Sequence, residues 1–172
     1  PNGPVLRVPL TGTYDIGSDH RGAFTLTTAS GSKTYAVVLN STSGGVANKA
    51  RFVEFSDTTG TAGQRGSGLL RLQDTSAFSP GSITGAYAFG FSGQDPTGKR
   101  DAIVGSFIAD GAGTISSGIA DQNAAGSTTN PSLNGTYSAP TASDGRTLLI
   151  LNRSAASSLN LTAYVVSASE LL

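Results

Sequence analysis

Short runs of alternating apolar and polar residues, separated by glycine-rich turns, recur along the whole chain. No segment sustains the 3.6-residue apolar period of an amphipathic helix. Residues 83–123 show the pattern most clearly. Tyr87, Phe89 and Phe91 share one face of an extended run, and Ala88, Gly90 and Ser92 share the other. Residues 94–99 then turn the chain, because Pro96 presets φ and Gly98 tolerates a left-handed backbone. Residues 102–109 return, residues 110–113 (DGAG) turn again, and Ile115 and Ile119 lie in phase along a third run. The same rhythm places strands near residues 10–14, 23–28, 34–39, 51–55, 69–73, 133–139, 147–151 and 159–166. Turn signals spaced by roughly 8 to 12 residues predict an all-β protein, an antiparallel meander of about ten short strands forming a barrel or sandwich. The predicted core is Tyr14, Phe24, Leu26, Val37, Phe52, Leu70, Tyr87, Phe89, Ile103, Phe107, Ile115, Ile119, Tyr137, Leu148, Ile150 and Val165.

Composition narrows the setting. A chain of 172 residues is long enough for one domain or two small ones and buries about 70% of its unfolded surface. Charged residues make up 13% of the chain and its formal net charge is zero, so it has no basic field to hold a phosphate backbone, and nucleic acid is not an expected partner. Cys is absent, which excludes disulfides and thiolate chemistry. No apolar run approaches the ~20 residues of a spanning helix, so no membrane span is expected. Pro1 is not an initiator residue, which points to an upstream part that has been removed.

A motif of aliphatic residue, polar residue, Gly, small residue and Tyr occurs three times, at residues 10–14 (LTGTY), 83–87 (ITGAY) and 133–137 (LNGTY). Tyr14 is followed by Ser18-Asp19-His20-Arg21, a strand and Tyr35-Ala36-Val37-Val38. Tyr137 is followed by Ser143-Asp144-Gly145-Arg146, a strand and Ala163-Tyr164-Val165-Val166. Internal repetition is expected from three shared elements in the same order. The expected organisation is an extended Pro-rich arm over residues 1–9, a partial β module holding later strands over 10–75, a junction at 76–82, and a second module holding earlier strands over 83–172. Residues 10–75 and 83–172 could also form one joint domain.

The segments GTYDIGSDHRGAFTLTTASG, ARFVEFSDTTGTAGQRGSGLLRLQD, ITGAYAFGFSGQD, VGSFIADGAGTISSGIADQN and AYVVSASELL together cover nearly all of residues 10–172. They resemble the tandemly repeated β-rich modules of large secreted proteins of Acidobacteria. That resemblance implies a secreted or cell-surface setting and carries over no catalytic residues.

Candidate sites are few, and each has an ordinary structural reading. His20 is the only histidine and lies in a predicted turn where the parallel copy has Gly145, which points to a backbone role rather than a dyad with a serine. One His and no Cys do not make a zinc site. Asp110, with Asp121 and Asn123 downstream, offers oxygens to calcium but lacks the carboxylate density of a calcium loop, and a glycine hairpin is the plainer reading. Ser30-Gly31-Ser32-Lys33 matches S-x-x-K without the companion motifs that give that pattern meaning. Glu54 and Glu170 are the only glutamates, and the aspartates lie mostly in turns. The three motif tyrosines could stack on a sugar, but their repeated position favours packing. No residue is therefore assigned a catalytic, cofactor-binding or metal-binding role, and no cofactor is expected.

The expected function is that of a non-enzymatic structural or adhesive module of a secreted or cell-surface protein, including a subunit of an extracellular fibre. The expected partners are further copies or neighbouring repeats, engaged through terminal strands: residues 159–172 at one end and residues 5–8 at the other. Unpaired strand edges readily recruit another chain. The alternatives are closure of the two partial modules on each other, a barrel that binds a small apolar ligand or glycan, and, less favoured, a hydrolase. An apolar cavity of several hundred Å³ would favour the ligand-binding reading.

Overall fold

The computed structural model describes residues 8–54, 66–94, 97–154 and 158–172. Most of the Pro-rich arm, residues 55–65 of the turn-rich stretch after the RFVE run, and Asp95-Pro96 of the 94–99 turn lie outside the described residues. The chain divides into two compact units, Pro1–Leu72 and Gln73–Leu172. The expected junction at 76–82 belongs to the second of them.

The all-β expectation holds. The first unit is a five-stranded antiparallel meander in sequence order: β1 (Thr11–Ile16), β2 (Arg21–Thr28), β3 (Gly31–Ser43), β4 (Val46–Glu54) and β5 (Ser67–Arg71). The second unit opens with two short 3-10 turns, Thr75–Ala77 and Pro80–Ser82. Its strands are β6 (Thr84–Gln94), β7 (Arg100–Asp110), β8 (Thr114–Ala124), β9 (Ser127–Thr129), β10 (Ser132–Tyr137), β11 (Arg146–Arg153), β12 (Leu159–Ser167) and β13 (Glu170–Leu171). Their order is β13-β12-β11-β10-β8-β7-β6, with β9 as a short flap on β8. Both sheets curl, and neither closes through main-chain hydrogen bonds among the described residues.

The core sits in the second unit. Ile83, Phe107, Ile115, Tyr137, Leu149, Leu151 and Val165 are buried together, with Phe78, Phe89 and Leu161 half-buried against them. Phe78 lies against Gly145, where an added Cβ would come within 2.5 Å of its ring. Gln73 ties the start of this unit to β12 and to the β10–β11 connection, donating from Nε2 to the carbonyls of Val165 (2.7 Å) and Asp144 (3.1 Å).

Several expected core residues behave otherwise, for identifiable reasons. Leu148 and Ile150 are exposed, and Leu149 and Leu151 are buried. The run Leu148-Leu149-Ile150-Leu151 is apolar on both faces, so its phase is set by its pairing: Leu149 faces Tyr137 and Leu151 faces Gly135 across β10. Ile119 is exposed because the β7·β8 register shifts between Ser106 and Ile108, close to Ser117 at φ +50°. The bulge turns Gly118 and Ala120 inward in its place.

Tyr14 and Leu70 are exposed for a different reason. Tyr14 is paired with Phe24 and Leu70 with Ala50, so both stand on the face that carries Phe24, Val37 and Phe52. In the five-stranded sheet that face is only partly covered, and Phe24, Leu26 and Phe52 remain half-buried. Tyr14 is 81% exposed, whereas Tyr137 is 5% exposed. Tyr137 has β8 beside its strand and donates its hydroxyl to the Ile83 carbonyl at 2.9 Å.

The motif glycines separate into two kinds. A Cβ on Gly12 would lie 2.3 Å from the Thr25 carbonyl oxygen, and one on Gly135 would lie 1.9 Å from that of Ile150. Both exist because the facing strand approaches too closely for a side chain. Gly85 has open space around its Cβ position and instead adopts φ +98°, so the third motif is alike in letters and different in physics.

Candidate functional site

The titratable residues do not converge. Among the described residues, no three of His, Cys, Asp and Glu gather closely enough to hold a metal ion. His20 sits in its turn at φ +65°, and Gly145 takes φ +67° at the matching place, which is the backbone role expected from the sequence. The left-handed region is unfavourable for most side chains, and a turn polar residue tolerates it best. Lys33 of the S-x-x-K match pairs with Glu54 at 2.9 Å. Glu54 belongs to the first unit and Glu170 to the second.

Asp110 closes a hairpin instead of holding a cation in concert with Asp121. Its Oδ1 accepts the backbone N–H groups of Ala112 and Thr114, both at 2.8 Å. Asp121 lies further along β8, where it accepts from the Asn130 side chain, and Asn123 caps its own turn through the Gly126 N–H at 3.0 Å. The two backbone donors hold the Asp110 carboxyl down to about 2, below its ordinary value of 3.8. A lowered folded-state value contributes stability that is present above pH 3.8 and is lost as pH falls through about 2. An NMR titration of this carboxyl is expected to show a midpoint near 2; a midpoint at the ordinary value would mean that the turn is open in solution.

An apolar slot in the second unit is a concave feature of a size that could take a ligand. Its volume is about 460 Å³, and it lies between β6 on one side and β12 with β13 on the other, the two ends of the strand order. Tyr87, Phe89, Phe107, Leu149, Leu161 and Leu171 line it. The alternation of β6 aims its aromatic residues inward, where Tyr87 and Phe89 pack on Phe107 at centroid distances of 5.8 and 5.9 Å. One end is bridged by the Tyr87 hydroxyl, which is within reach of the carbonyls of Ala168 (3.3 Å) and Ser82 (3.4 Å). Burial, and then the neighbouring Tyr137, push the Tyr87 hydroxyl above its ordinary value of 10.0, so it acts as a neutral donor.

The polar resources of the slot are the Tyr87 hydroxyl, Thr162, Ser169, Glu170 and the main-chain edges of β6 and β12. No family model, curated protein or solved structure matches this chain. Tyr87, Phe89 and Phe107 are legible as inward residues from alternation alone. Leu149, Leu161 and Leu171 as slot residues are not, because the meeting of β6 with β12 and β13 joins residues far apart in the chain.

Proposed function

We propose that this chain is a non-enzymatic structural or adhesive module of a secreted or cell-surface protein, and that it associates with further polypeptide through β-strand addition. The observation that carries the reading is the arrangement of edges in the second unit. An eight-stranded sheet curls round an apolar slot, and its outer strands, β6 at one end and the two-residue β13 at the other, are not joined to each other among the described residues. Open edges beside apolar side chains favour a further strand, which satisfies main-chain groups and buries apolar surface together. The low charge of the chain, the scattered titratable groups and the likeness to secreted repeat modules support the same reading, as does the exposed outer strand β1 of the first unit. Association in this manner yields fibres when the contact does not close on itself.

Sedimentation equilibrium over a wide concentration range tests the proposal. The average mass is expected to rise above that of the monomer without a fixed ceiling. A chain that stays monomeric at the highest concentrations sinks the assembly reading.

A second reading rests on the slot volume, which lies within the range of small-molecule sites. A small apolar ligand or the apolar face of a sugar would fill it without using the strand edges. Saturable binding of an apolar dye by a strictly monomeric chain favours this alternative.

A further inference from the structure

On the outer face of the second unit, β7, β8 and β9 frame a second, open hollow of about 440 Å³, which shares no lining residue with the slot. Directly opposite residues of an antiparallel pair stand on one face, and the registers set two rows here. Ala102 faces Asn123, which faces Thr128, and Val104 faces Asp121. The rows point outward because the alternate positions are the inner ones, with Ile103 6% and Ala120 1% exposed. Ala102 is small, as are Gly90 and Ser92 on β6 beside these rows, so the surface is low there. β7 and β8 each have a strand on both sides, and the hollow therefore owes nothing to the two ends of the sheet.

The polar side chains of the hollow are held by bonds that leave part of each one spare. Asn130 donates from Nδ2 to Asp121 Oδ1, and the next residue, Pro131, is buried with its carbonyl accepting the Ala120 N–H at 3.0 Å. Asn123 Oδ1 accepts the Gly126 N–H at 3.0 Å, and the same turn is tied back by the Ala125 N–H to the Arg100 carbonyl at 2.9 Å. Asp121 Oδ2, Asn123 Nδ2, Asn130 Oδ1 and the Thr128 hydroxyl make no further hydrogen bond among the described residues, and all four residues are exposed. Beside Asp121 stands Val104, an aliphatic side chain that is 56% exposed.

Acceptors and donors thus stand side by side next to aliphatic surface. A carboxylate oxygen accepts from one hydroxyl of a vicinal diol while a carboxamide N–H donates to its neighbour, because each sugar hydroxyl is both donor and acceptor. Among the described residues, Asp121 is the only charged one lining the hollow. Its negative charge opposes phosphate, sulfate and carboxylate ligands and leaves neutral polyols favoured. We propose that this hollow is a binding site for a neutral hexopyranose, with Asp121 and Asn123 taking adjacent hydroxyls and the C–H face of the ring lying on Val104 and Ala102. The inference rests on the adhesive part of the proposed function, to which it adds a ligand class, and is independent of strand addition.

The test titrates the full chain with the methyl glycosides of glucose, galactose and mannose and follows backbone amide resonances. Saturable shifts centred on Val104, Asp121, Asn123 and Thr128 are expected from at least one of them, with a millimolar Kd set by the few atoms in contact. Asp121→Ala is expected to weaken that sugar at least roughly tenfold, as for loss of a charged hydrogen-bond partner, while leaving the circular-dichroism spectrum unchanged. Thr128→Ala, on the exposed flap and clear of the Asp121–Asn130 bond, is expected to weaken it roughly threefold. Absence of saturable shifts here with all the sugars, undiminished binding by both variants, or shifts confined to Phe89 and Leu161 in the slot overturns the inference. A chain that binds the sugar here yet stays monomeric sinks only the self-assembly reading. A chain that assembles without these shifts sinks only this inference.

Discussion

Gly135→Ala is expected to cost about 3 kcal/mol or more and to remove much of the cooperative unfolding of the second unit, a value at the upper end of overpacking effects. The new Cβ would lie 1.9 Å from the Ile150 carbonyl oxygen and 3.0 Å from its carbon. Both are main-chain atoms of the facing strand, so no side-chain rotation relieves the clash. β10 and β11 must move apart, and β10 also pairs with β8 on its other side, so the strain spreads to the centre of the sheet. Urea denaturation followed by circular dichroism measures the loss. Gly90→Ala is the control: its Cβ would meet the Val104 side chain at 3.5 Å and the Ile103 carbonyl oxygen at 3.9 Å, both ordinary contacts, and a change within about 0.5 kcal/mol is expected. Equal stability of the Gly135→Ala variant and the parent would refute the β10·β11 register.

Leu151→Ala is expected to destabilise the second unit by about 2 to 5 kcal/mol, the cost of lost transfer energy plus the cavity left behind. Leu151 is 0% exposed and lies in the buried cluster with Phe107, Tyr137 and Val165. Its neighbour Ile150 is 40% exposed, so Ile150→Ala is expected to change stability by only about 0.5 kcal/mol. The two measurements together decide which face of β11 is the inner one. A larger loss at Ile150 than at Leu151 reverses that phase.

The contrast between these two residues shows how far the chain can be read without its structure. Strict alternation settles a face on its own, and so Phe107 and Ile115 stand inside as expected. A continuous apolar run does not, and Leu148 to Leu151 take their phase from Tyr137 and Gly135 across the strand pair. Ile119 departs from its expected burial because a single bulge inverts every later residue of a strand, and a period-two pattern carries no mark of it. Tyr14 stands on the expected face, but facing inward is burial only where further strands stand alongside.

The class of the protein follows from local patterning. Alternation with period two, β-branched and aromatic runs, and Gly-rich turns leave little besides an antiparallel β-meander, because these are local constraints of backbone and side-chain geometry. The same patterning determined the like turns at Ser18–Arg21 and Ser143–Arg146, where an Asp accepts the N–H of the Arg two residues on and a left-handed residue precedes that Arg in both turns. The grouping into two units, the burial of Tyr137 against the exposure of Tyr14, and the slot between β6 and β12 arise from long-range packing. Each depends on which strands become neighbours after the sheet curls. That choice is made by cooperative burial and pairing between residues as distant as Tyr87 and Leu171, and no short stretch of the chain encodes it alone.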